Sequence, residues 1–269
     1  MSAKITFIGA GNMASSLVGG LTAKGYDPLQ ITMTDLNENA LQQARSQYGV
    51  NTSRDNSTAV KKADIVVLAV KPQVMKEVLA PLQAAVAERK PLVISIAAGI
   101  PLARFAEWLG DDIPVVRCMP NSPALVETGA TGMFANHKVT DKHREMTKTV
   151  ISAVGLAIWV DNEDQIDAVT AVSGSGPAYY FLLMESMITA GIKLGLSEQV
   201  ARQLTLQTAL GAAQMAITSS NEPAELRQQV TSPGGTTQRA LEIMGQHQLP
   251  QAIVEAIEGA YQRSKELSG

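Results

Sequence analysis

The chain has 269 residues, a formal net charge of −3, 45% hydrophobic residues and only 4% aromatic residues. The near-balanced charge and the lack of a Lys/Arg-rich run argue against nucleic acid as a partner, and the apolar runs are too short and broken to span a membrane. One cysteine and three scattered histidines argue against a disulfide framework and predict no metal site. A strand pattern begins almost at once, so we expect no signal peptide and a cytoplasmic protein.

A glycine-rich turn follows the first predicted strand. The strand covers Ile5 to Ile8, and the segment Gly9-Ala10-Gly11-Asn12-Met13-Ala14 after it fits the pattern G-x-G-x-x-G/A. Gly9 permits a tight turn, Gly11 lets the backbone approach a pyrophosphate, and Ala14 lets the next helix pack closely on the strand. The N–H groups at the start of that helix then face the phosphates. A glycine-rich turn without a ligand is the alternative, but the place of the motif between strand and helix favours a dinucleotide.

An acidic residue follows the second predicted strand. That strand covers 31–34 and is followed by Asp35, roughly 20 residues past the glycines. A carboxylate at this place bonds the ribose hydroxyls and repels a 2′-phosphate, so Asp35 taken alone favours NAD over NADP. A helix cap or a solvated loop residue is the alternative.

The first half of the chain alternates strands and helices. Further strands are predicted near Val50 and at 64–70, 92–96, 115–119, 131–134 and 156–160, with helices at 38–48, 59–63 and 141–154. Nearly unbroken apolar runs such as 64–70 are typical of parallel strands that are buried on both faces. The alternation predicts an α/β fold with a Rossmann-like, doubly wound sheet over residues 1–161.

Several residues at the ends of these strands are candidates for cofactor binding, because ligands bind beyond the carboxyl ends of parallel strands. Lys71 is either near the cofactor or a solvated lysine at a helix start. The small residues Ala97, Ala98 and Gly99 leave room for a flat ring. Asn121 either bonds a ligand amide or forms a turn between prolines. Arg117 and Cys118 lie within a strand, and we expect them to be structural.

The second half, residues 162–269, is predicted to be entirely helical. Helices are expected at 163–172, 177–194, 198–219, 224–230, 237–244 and 251–267. The segment 178–184 is apolar almost all round, and a helix of that kind requires burial on all sides. We therefore expect a homodimer that interleaves the helices of two subunits, with a compact monomer as the alternative.

Two glycine-rich polar stretches interrupt these helices. Ser173-Gly174-Ser175-Gly176-Pro177 precedes one helix, and Thr231 to Thr237, with sequence TSPGGTT, precedes another. The second stretch combines backbone N–H groups, hydroxyls and a helix start, which predicts a binding site for a small carboxylate. Ordinary capping by Ser and Thr is the alternative, but two threonines after two glycines exceed what a cap needs.

Six segments along the chain carry a family pattern: FIGAGNMA at 7–14, AVKP at 69–72, SIAAG at 95–99, RCMPNSPAL at 117–125, AVSGSGPAY at 171–179 and PAELRQQVTSPGGTTQRAL at 223–241. With these segments the sequence resembles the pyrroline-5-carboxylate reductase family over its whole length. The resemblance implies an oxidoreductase that transfers a hydride from a reduced nicotinamide to the C=N carbon of 1-pyrroline-5-carboxylate. The product is L-proline, in the last step of proline biosynthesis.

The resemblance also implies roles for individual residues. Thr237 would be catalytic, near the ring nitrogen, and the substrate would bind at Ser232, Gly234, Gly235, Thr236, Thr237 and Ser175, in a loop that belongs to the helical domain of this or a partner subunit. The cofactor would contact Ile8, Gly9, Ala10, Gly11, Asn12, Met13, Thr34, Asp35, Asn56, Ala69, Val70, Lys71, Pro72, Ile96, Ala97, Ala98 and Asn121.

The segment after the second strand departs from the family pattern. The family commonly favours NADPH and places small hydroxyl residues there, whereas this chain has Thr34-Asp35-Leu36-Asn37. Thr34 and Asn37 are able to bond a phosphate, but Asp35 would repel it unless it turns away. NADP(H) is therefore expected from the resemblance, and NAD(H) stays open because of Asp35.

Three other functions are weaker alternatives. A β-hydroxyacid dehydrogenase of similar architecture would have a lysine early in the helix that opens at Pro177, but the first lysine there is Lys193. A nucleotide-sensing protein without activity would predict a damaged Ser232–Thr237 loop, and a purely structural helical dimer would need neither glycine-rich stretch. Whether dimers assemble further into a ring is left open.

Overall fold

The computed structural model describes residues 3–268, which divide into two compact units. The first unit contains the residues up to Ser175 together with those from Ala260 onward, and the second unit contains Gly176–Gly259. The domain boundary expected between residues 161 and 162 stays a prediction.

The first unit is built on an eight-stranded sheet. Its strands have the spatial order β3-β2-β1-β4-β5-β6-β7-β8. All neighbouring strands are parallel except β6 and β7, which are antiparallel. The crossover from β3-β2-β1 to β4-β5-β6 confirms the doubly wound arrangement. The strands are β1 (Ile5–Ile8), β2 (Ile31–Thr34), β3 (Asn51–Ser53), β4 (Ile65–Leu68), β5 (Leu92–Ser95), β6 (Val115–Met119), β7 (Gly129–Ala135) and β8 (Gly155–Trp159).

Both faces of the sheet are covered by apolar side chains, because alternate residues of each strand point to opposite sides. In β4, Ile65 and Val67 belong to one buried cluster, while Val66 and Leu68 belong to the other. This explains why the central strands are apolar without interruption. The helices of the first unit are α1 (Asn12–Ala23), α2 (Glu38–Tyr48), α3 (Asn56–Val60), α4 (Met75–Leu79), α5 (Gln83–Arg89), α6 (Leu102–Leu109), α7 (Asp141–Ile151) and α8 (Gln165–Val169).

The position of α3 corrects the sequence prediction, which placed a helix at 59–63. The helix starts earlier because the Asp55 side chain accepts the backbone N–H of Thr58 and acts as its N-cap. The chain after Val60 has already left the helix, and Asp64 N–H donates to the carbonyl of Lys4 at the start of β4.

The second unit is helical, as expected. It contains α9 (Gly176–Lys193), α10 (Glu198–Thr218), α11 (Pro223–Gln229), α12 (Thr236–Gln246) and most of α13 (Leu249–Ser268). Many large apolar side chains of these helices are exposed, including Phe181 at 62%. Within residues 3–268, no helix is long and apolar enough to cross a membrane.

A buried polar cluster ties the last turns of α13 to the sheet of the first unit. Arg117 of β6 is only 3% exposed and lies 3.1 Å from Glu163 and 3.9 Å from Asp167. The Ser264 hydroxyl of α13 donates to Asp167 at 2.6 Å. This agrees with the structural role expected for Arg117.

Candidate functional site

The glycine turn after β1 has two glycines with different tasks. Gly9 has φ +101°, and a Cβ there would lie 2.6 Å from the carbonyl oxygen of Ala69, so the turn requires glycine for its own fold. Gly11 has an ordinary extended backbone and is the N-cap of α1, with no side chain capping the helix. A Cβ on Gly11 would meet nothing within 4 Å. Open space therefore lies in front of the first N–H groups of α1, as a bound phosphate requires.

The carboxylate of Asp35 is turned toward this glycine turn. One oxygen accepts the backbone N–H of Ala10 at 2.8 Å, and the other accepts the N–H of Asn37 at 2.9 Å. Thr34 is fully buried, and its hydroxyl donates to the carbonyl of Phe7 at 3.2 Å. The structure thus does not support Thr34 as a phosphate ligand, since its hydroxyl bonds the neighbouring strand.

Asn37 and Asn56 lie at helix starts next to this turn. The Asn37 side chain is exposed and caps α2 by accepting the N–H groups of Asn39 and Ala40. Asn56 is the first residue of α3 and is half-buried. Both amides therefore lie at the carboxyl edge of β2 and β3, where the adenosine side of a dinucleotide is expected.

The ends of β4 and β5 bring two further predicted segments to the same edge of the sheet. Ala69 N–H donates to the carbonyl of Ile8 at 2.8 Å, and Ile96 N–H donates to the carbonyl of Leu68 at 3.2 Å. Lys71 and Ala98 are exposed, whereas Ala97 is buried. The structure thus places the glycine turn, Ala69–Pro72 and Ile96–Ala98 side by side at three neighbouring strand ends.

Asn121 has a different task from the one expected. Its amide nitrogen donates to the carbonyl of Ser173 at 3.0 Å, and its amide oxygen accepts the N–H of Ala130 at 2.8 Å. Both polar atoms therefore hold the end of β6 to β7 and to the segment after α8. The structure does not support Asn121 as a cofactor ligand, and it also shows more than a simple turn-forming asparagine.

The stretch 173–177 contains the end of a π-helical turn and the start of α9. The π-helical turn covers Thr170–Gly174, and the N–H of Ser175 donates to the carbonyl of Thr170 at 2.8 Å. A Cβ on Gly174 would lie 2.7 Å from Cε of Met119, so this glycine allows a close approach. Ser175 is half-buried at the end of the first unit.

In the second unit, the loop before α12 is held by its own hydrogen bonds. Gly234 has φ +71°, and its N–H donates to Oε1 of Gln238 at 2.7 Å. The N–H of Gly235 donates to the carbonyl of Ser232 at 3.0 Å. The two glycine N–H groups are thus already bonded, so the free N–H groups of the stretch 231–237 lie at its helical end and not at its glycines. Those without an intrahelical partner are the first three of α12, at Thr236, Thr237 and Gln238.

Gln238 is a functional candidate that the sequence analysis missed. It stands at the third position of α12, where a Glu or Gln commonly reaches back to the chain before the helix. A glutamine three residues after Gly235, the N-cap residue, was therefore the sequence pattern that could have identified it. By holding Gly234, Gln238 shapes the loop and leaves the helix start open.

Side-chain capping does not explain the starts of α1 and α12. The helices α2, α3, α7 and α10 are capped by Asn37, Asp55, Thr140 and Ser197. The helices α4, α5, α6 and α8 have no side-chain cap and begin after residues other than glycine. The helices α1 and α12 also have no side-chain cap, but they begin after Gly11 and Gly235. Thr237 is half-buried, and within residues 3–268 its hydroxyl has no hydrogen-bond partner. Both helix starts are therefore suited to bind an anion from outside.

Two further observations concern reactive side chains and metal ligands. Burial raises the pKa of the Cys118 thiol, so this cysteine is protonated and unreactive at neutral pH. Among residues 3–268, no group of three or more His, Cys, Asp or Glu side chains is arranged to hold a metal ion.

Comparisons with known proteins agree with this geometry. Residues 163–267 match the family model described as pyrroline-5-carboxylate reductase dimerisation, and residues 4–99 match the model described as NADP oxidoreductase, coenzyme F420-dependent. A pyrroline-5-carboxylate reductase from Pseudomonas aeruginosa is 52% identical, with 98% of this chain and 97% of the relative covered.

Solved structures extend the likeness to the whole fold. The structure of a pyrroline-5-carboxylate reductase from Coxiella burnetii has a TM-score of 0.97 and 45% identity, covering 100% of both chains. The Plasmodium falciparum enzyme, solved with NADP bound, has a TM-score of 0.87 and 28% identity, covering 100% of this chain and 99% of its own. Because the identity to these relatives extends over nearly the whole chain, the chain belongs to the pyrroline-5-carboxylate reductase family of oxidoreductases.

Proposed function

We propose that this chain reduces 1-pyrroline-5-carboxylate to L-proline with a hydride from NAD(P)H. The observation that carries the proposal is that α1 and α12, one in each unit, both begin after a glycine and without a side-chain cap. One helix start suits a pyrophosphate and the other suits a small carboxylate, and the substrate and the cofactor supply these two anions.

The residues of the glycine turn fit a dinucleotide. The space where a Cβ of Gly11 would lie is open, and the N–H groups of Asn12 and Met13 are in the first turn of α1. Ile8 and Gly9 are buried, so they contribute backbone only. Asn56 and Ala69–Pro72 would bind the adenosine and ribose side, and Ile96–Ala98 would lie by the nicotinamide. When bound, the reduced nicotinamide supplies the hydride.

NADP(H) is our first choice of cofactor, with NAD(H) as the second. The choice is supported by the match of residues 4–99 to an NADP oxidoreductase model and by the NADP in the Plasmodium falciparum relative. It is also supported by the orientation of Asp35, whose carboxylate bonds Ala10 and Asn37 instead of pointing outward. The exposed Asn37 is then the side chain nearest in sequence that is able to bond a 2′-phosphate.

The start of α12 would bind the carboxylate of the substrate. The N–H groups of Thr236 and Thr237 would donate to it, and Ser232 with the two glycines would shape the loop around it, with Ser175 as a further substrate contact. The Thr237 hydroxyl would bond the ring nitrogen and orient the C=N bond. A C=N bond is basic enough to be partly protonated near neutral pH, so the chain needs no strongly perturbed acid. The C=N carbon gains the hydride and the nitrogen carries the proton, which gives proline.

A homodimer is part of the same proposal. The match of residues 163–267 to the dimerisation model and the exposed apolar side chains of the second unit support it. Assembly of such dimers into a larger ring is a further step that light scattering would show. A cytoplasmic location also belongs to the proposal, supported by the free and buried thiol of Cys118.

The test is an assay of NADPH and NADH oxidation with and without 1-pyrroline-5-carboxylate. Oxidation that occurs only with the imine, and yields proline, is the expected result, with NADPH as the better donor. Nucleotide binding without imine-dependent oxidation would refute the proposal in favour of a nucleotide-sensing protein.

A further inference from the structure

Asp35 is the acidic residue that a doubly wound sheet usually aims at a ribose, but here it bonds the protein. Its carboxylate oxygens accept the N–H groups of Ala10 and Asn37, at 2.8 and 2.9 Å. Its own N–H donates to the carbonyl of Ser53 at 3.4 Å. Backbone contacts thus hold Asp35 on three sides.

These contacts join the end of β2 to two successive residues of the glycine turn. The N–H of Gly9 donates to the carbonyl of Thr34 at 2.8 Å, and the next N–H, that of Ala10, donates to Asp35. Ala10 is only 8% exposed, so its N–H has little access to water as an alternative acceptor. Without the carboxylate, a buried donor would lose its partner and the turn would have to shift.

We propose that Asp35 is a positioning residue, which fixes the glycine turn for the pyrophosphate and does not select between NADPH and NADH. The pyrophosphate is common to both nucleotides, and the N–H groups that would bind it, those of Asn12 and Met13, are only two and three residues after Ala10. The inference rests on the proposed function, because it concerns the nucleotide site of the same enzyme.

The two roles predict different outcomes when the carboxylate is removed. If Asp35 bound the ribose and repelled a 2′-phosphate, Asp35→Ala would bind NADH more weakly than the wild type and would bind NADPH with equal or higher affinity. If Asp35 positions the glycine turn, Asp35→Ala would bind both nucleotides more weakly, by a similar factor. Since one charge-assisted hydrogen bond to a buried N–H is lost, we expect the dissociation constants of both to rise about tenfold. Their ratio should stay within about threefold of the wild-type ratio, well under one tenfold step.

The experiment compares Asp35→Ala, Asp35→Asn and Asp27→Ala in the full chain. Nicotinamide fluorescence titrations give the dissociation constants of NADPH and NADH, and hydrogen exchange in the free protein follows the Ala10 amide. Asp27 is a matched control, since it accepts the Leu29 N–H as a cap but precedes β2 instead of following it. We expect faster exchange at Ala10 in Asp35→Ala, an intermediate effect in Asp35→Asn, which keeps one acceptor, and the wild-type result in Asp27→Ala.

Kinetics separate this role from general loss of stability. At saturating nucleotide, kcat and the KM for the imine should match the wild type in Asp35→Ala, while the KM for either nucleotide rises. A loss confined to NADH, or unchanged exchange at Ala10, would overturn the inference. If the wild type shows no imine-dependent oxidation but both dissociation constants still rise in Asp35→Ala, only the proposed reaction is refuted. A wild type that binds neither nucleotide would refute both.

Discussion

Replacing Gly11 by valine should abolish dinucleotide binding and leave the free protein folded. The backbone of Gly11 has φ −77° and ψ −178°, an extended conformation that a β-branched residue readily adopts. A Cβ there would meet nothing within 4 Å. The added side chain would instead occupy the space in front of α1, where we place the pyrophosphate.

The expected change in stability is small because two effects oppose each other. Loss of glycine's freedom in the unfolded chain stabilises by about 0.4–1 kcal/mol. Loss of a favourable N-cap glycine costs about 1 kcal/mol. The free energy of unfolding should therefore change by less than about 1 kcal/mol, or about 4 °C in Tm. Nucleotide binding should weaken by at least about a hundredfold, or about 2.7 kcal/mol, because the phosphates lose their place against the N–H groups.

The assay combines thermal unfolding with fluorescence titration of NADPH, and Gly9→Ala is the matched control. Gly9 has φ +101°, and its added Cβ would lie 2.6 Å from the carbonyl oxygen of Ala69. We expect Gly9→Ala to lower the free energy of unfolding by about 3 kcal/mol through backbone strain and this contact. Normal NADPH affinity in Gly11→Val would refute the placement of the pyrophosphate at this turn. Severe loss of stability in Gly11→Val would refute the conclusion that a side chain at this position meets open space.

Four further predictions concern other parts of the chain. Thr237→Ala should lower kcat by about 10- to 100-fold and leave NADPH binding within about twofold, because its hydroxyl bonds the substrate; an unchanged kcat would remove Thr237 from the mechanism. The hydroxyl and then the backbone N–H of Thr58 donate hydrogen bonds to the Asp55 carboxylate and hold the pKa of Asp55 below the ordinary 3.8. The cap therefore stabilises the fold above that pH and is lost as the pH falls through the lowered pKa, so urea unfolding of Asp55→Asn should depend less on pH in this range than that of the wild type; equal acid dependence would contradict this. Arg117→Met should cost about 3 kcal/mol in urea unfolding, since it removes the buried cation that faces the carboxylates of Glu163 and Asp167, and a loss under about 1 kcal/mol would contradict a structural role. By light scattering, Phe181→Glu should weaken the dimer, while Leu29→Glu in the first unit, at a side chain of similar exposure (69% against 62%), should not; a dimer that persists in both would place the interface elsewhere.

The strands of the sheet could be predicted from the sequence because burial on both faces leaves a plain pattern. The predicted bounds of β2 and β6 agree with the structure, 31–34 and 115–119. Long helices such as α2 were also predicted with their bounds, 38–48. In these segments local propensity and burial favour the same structure.

Short elements were harder to predict. The chain between β4 and β6 contains α4, α5 and α6, whose bounds the sequence analysis did not give. Pro72 and Pro81 lie in 3-10 turns before α4 and α5, which have only five and seven residues, and α6 has eight. Pieces of that length show too few turns for a periodic pattern.

In the candidate site, the sequence predicted the types of residue but not their contacts. The sequence showed an acid at Asp35 and an amide at Asn121. It did not show that Asp35 meets an N–H 25 residues earlier, or that Asn121 bridges to Ser173, 52 residues later. Such partners are set by the tertiary fold, which no local pattern encodes.

The return of α13 to the first unit constrains the order in which the protein is made and folded. Ser264 bonds Asp167 beside the buried Arg117, yet the ribosome makes all of the second unit between these residues. Since synthesis proceeds at about 5–20 residues per second, this polar cluster therefore stays incomplete for several seconds after Asp167 is made. During synthesis the nascent first unit exposes the surface that α13 later covers, which makes it a candidate for chaperone binding at that stage.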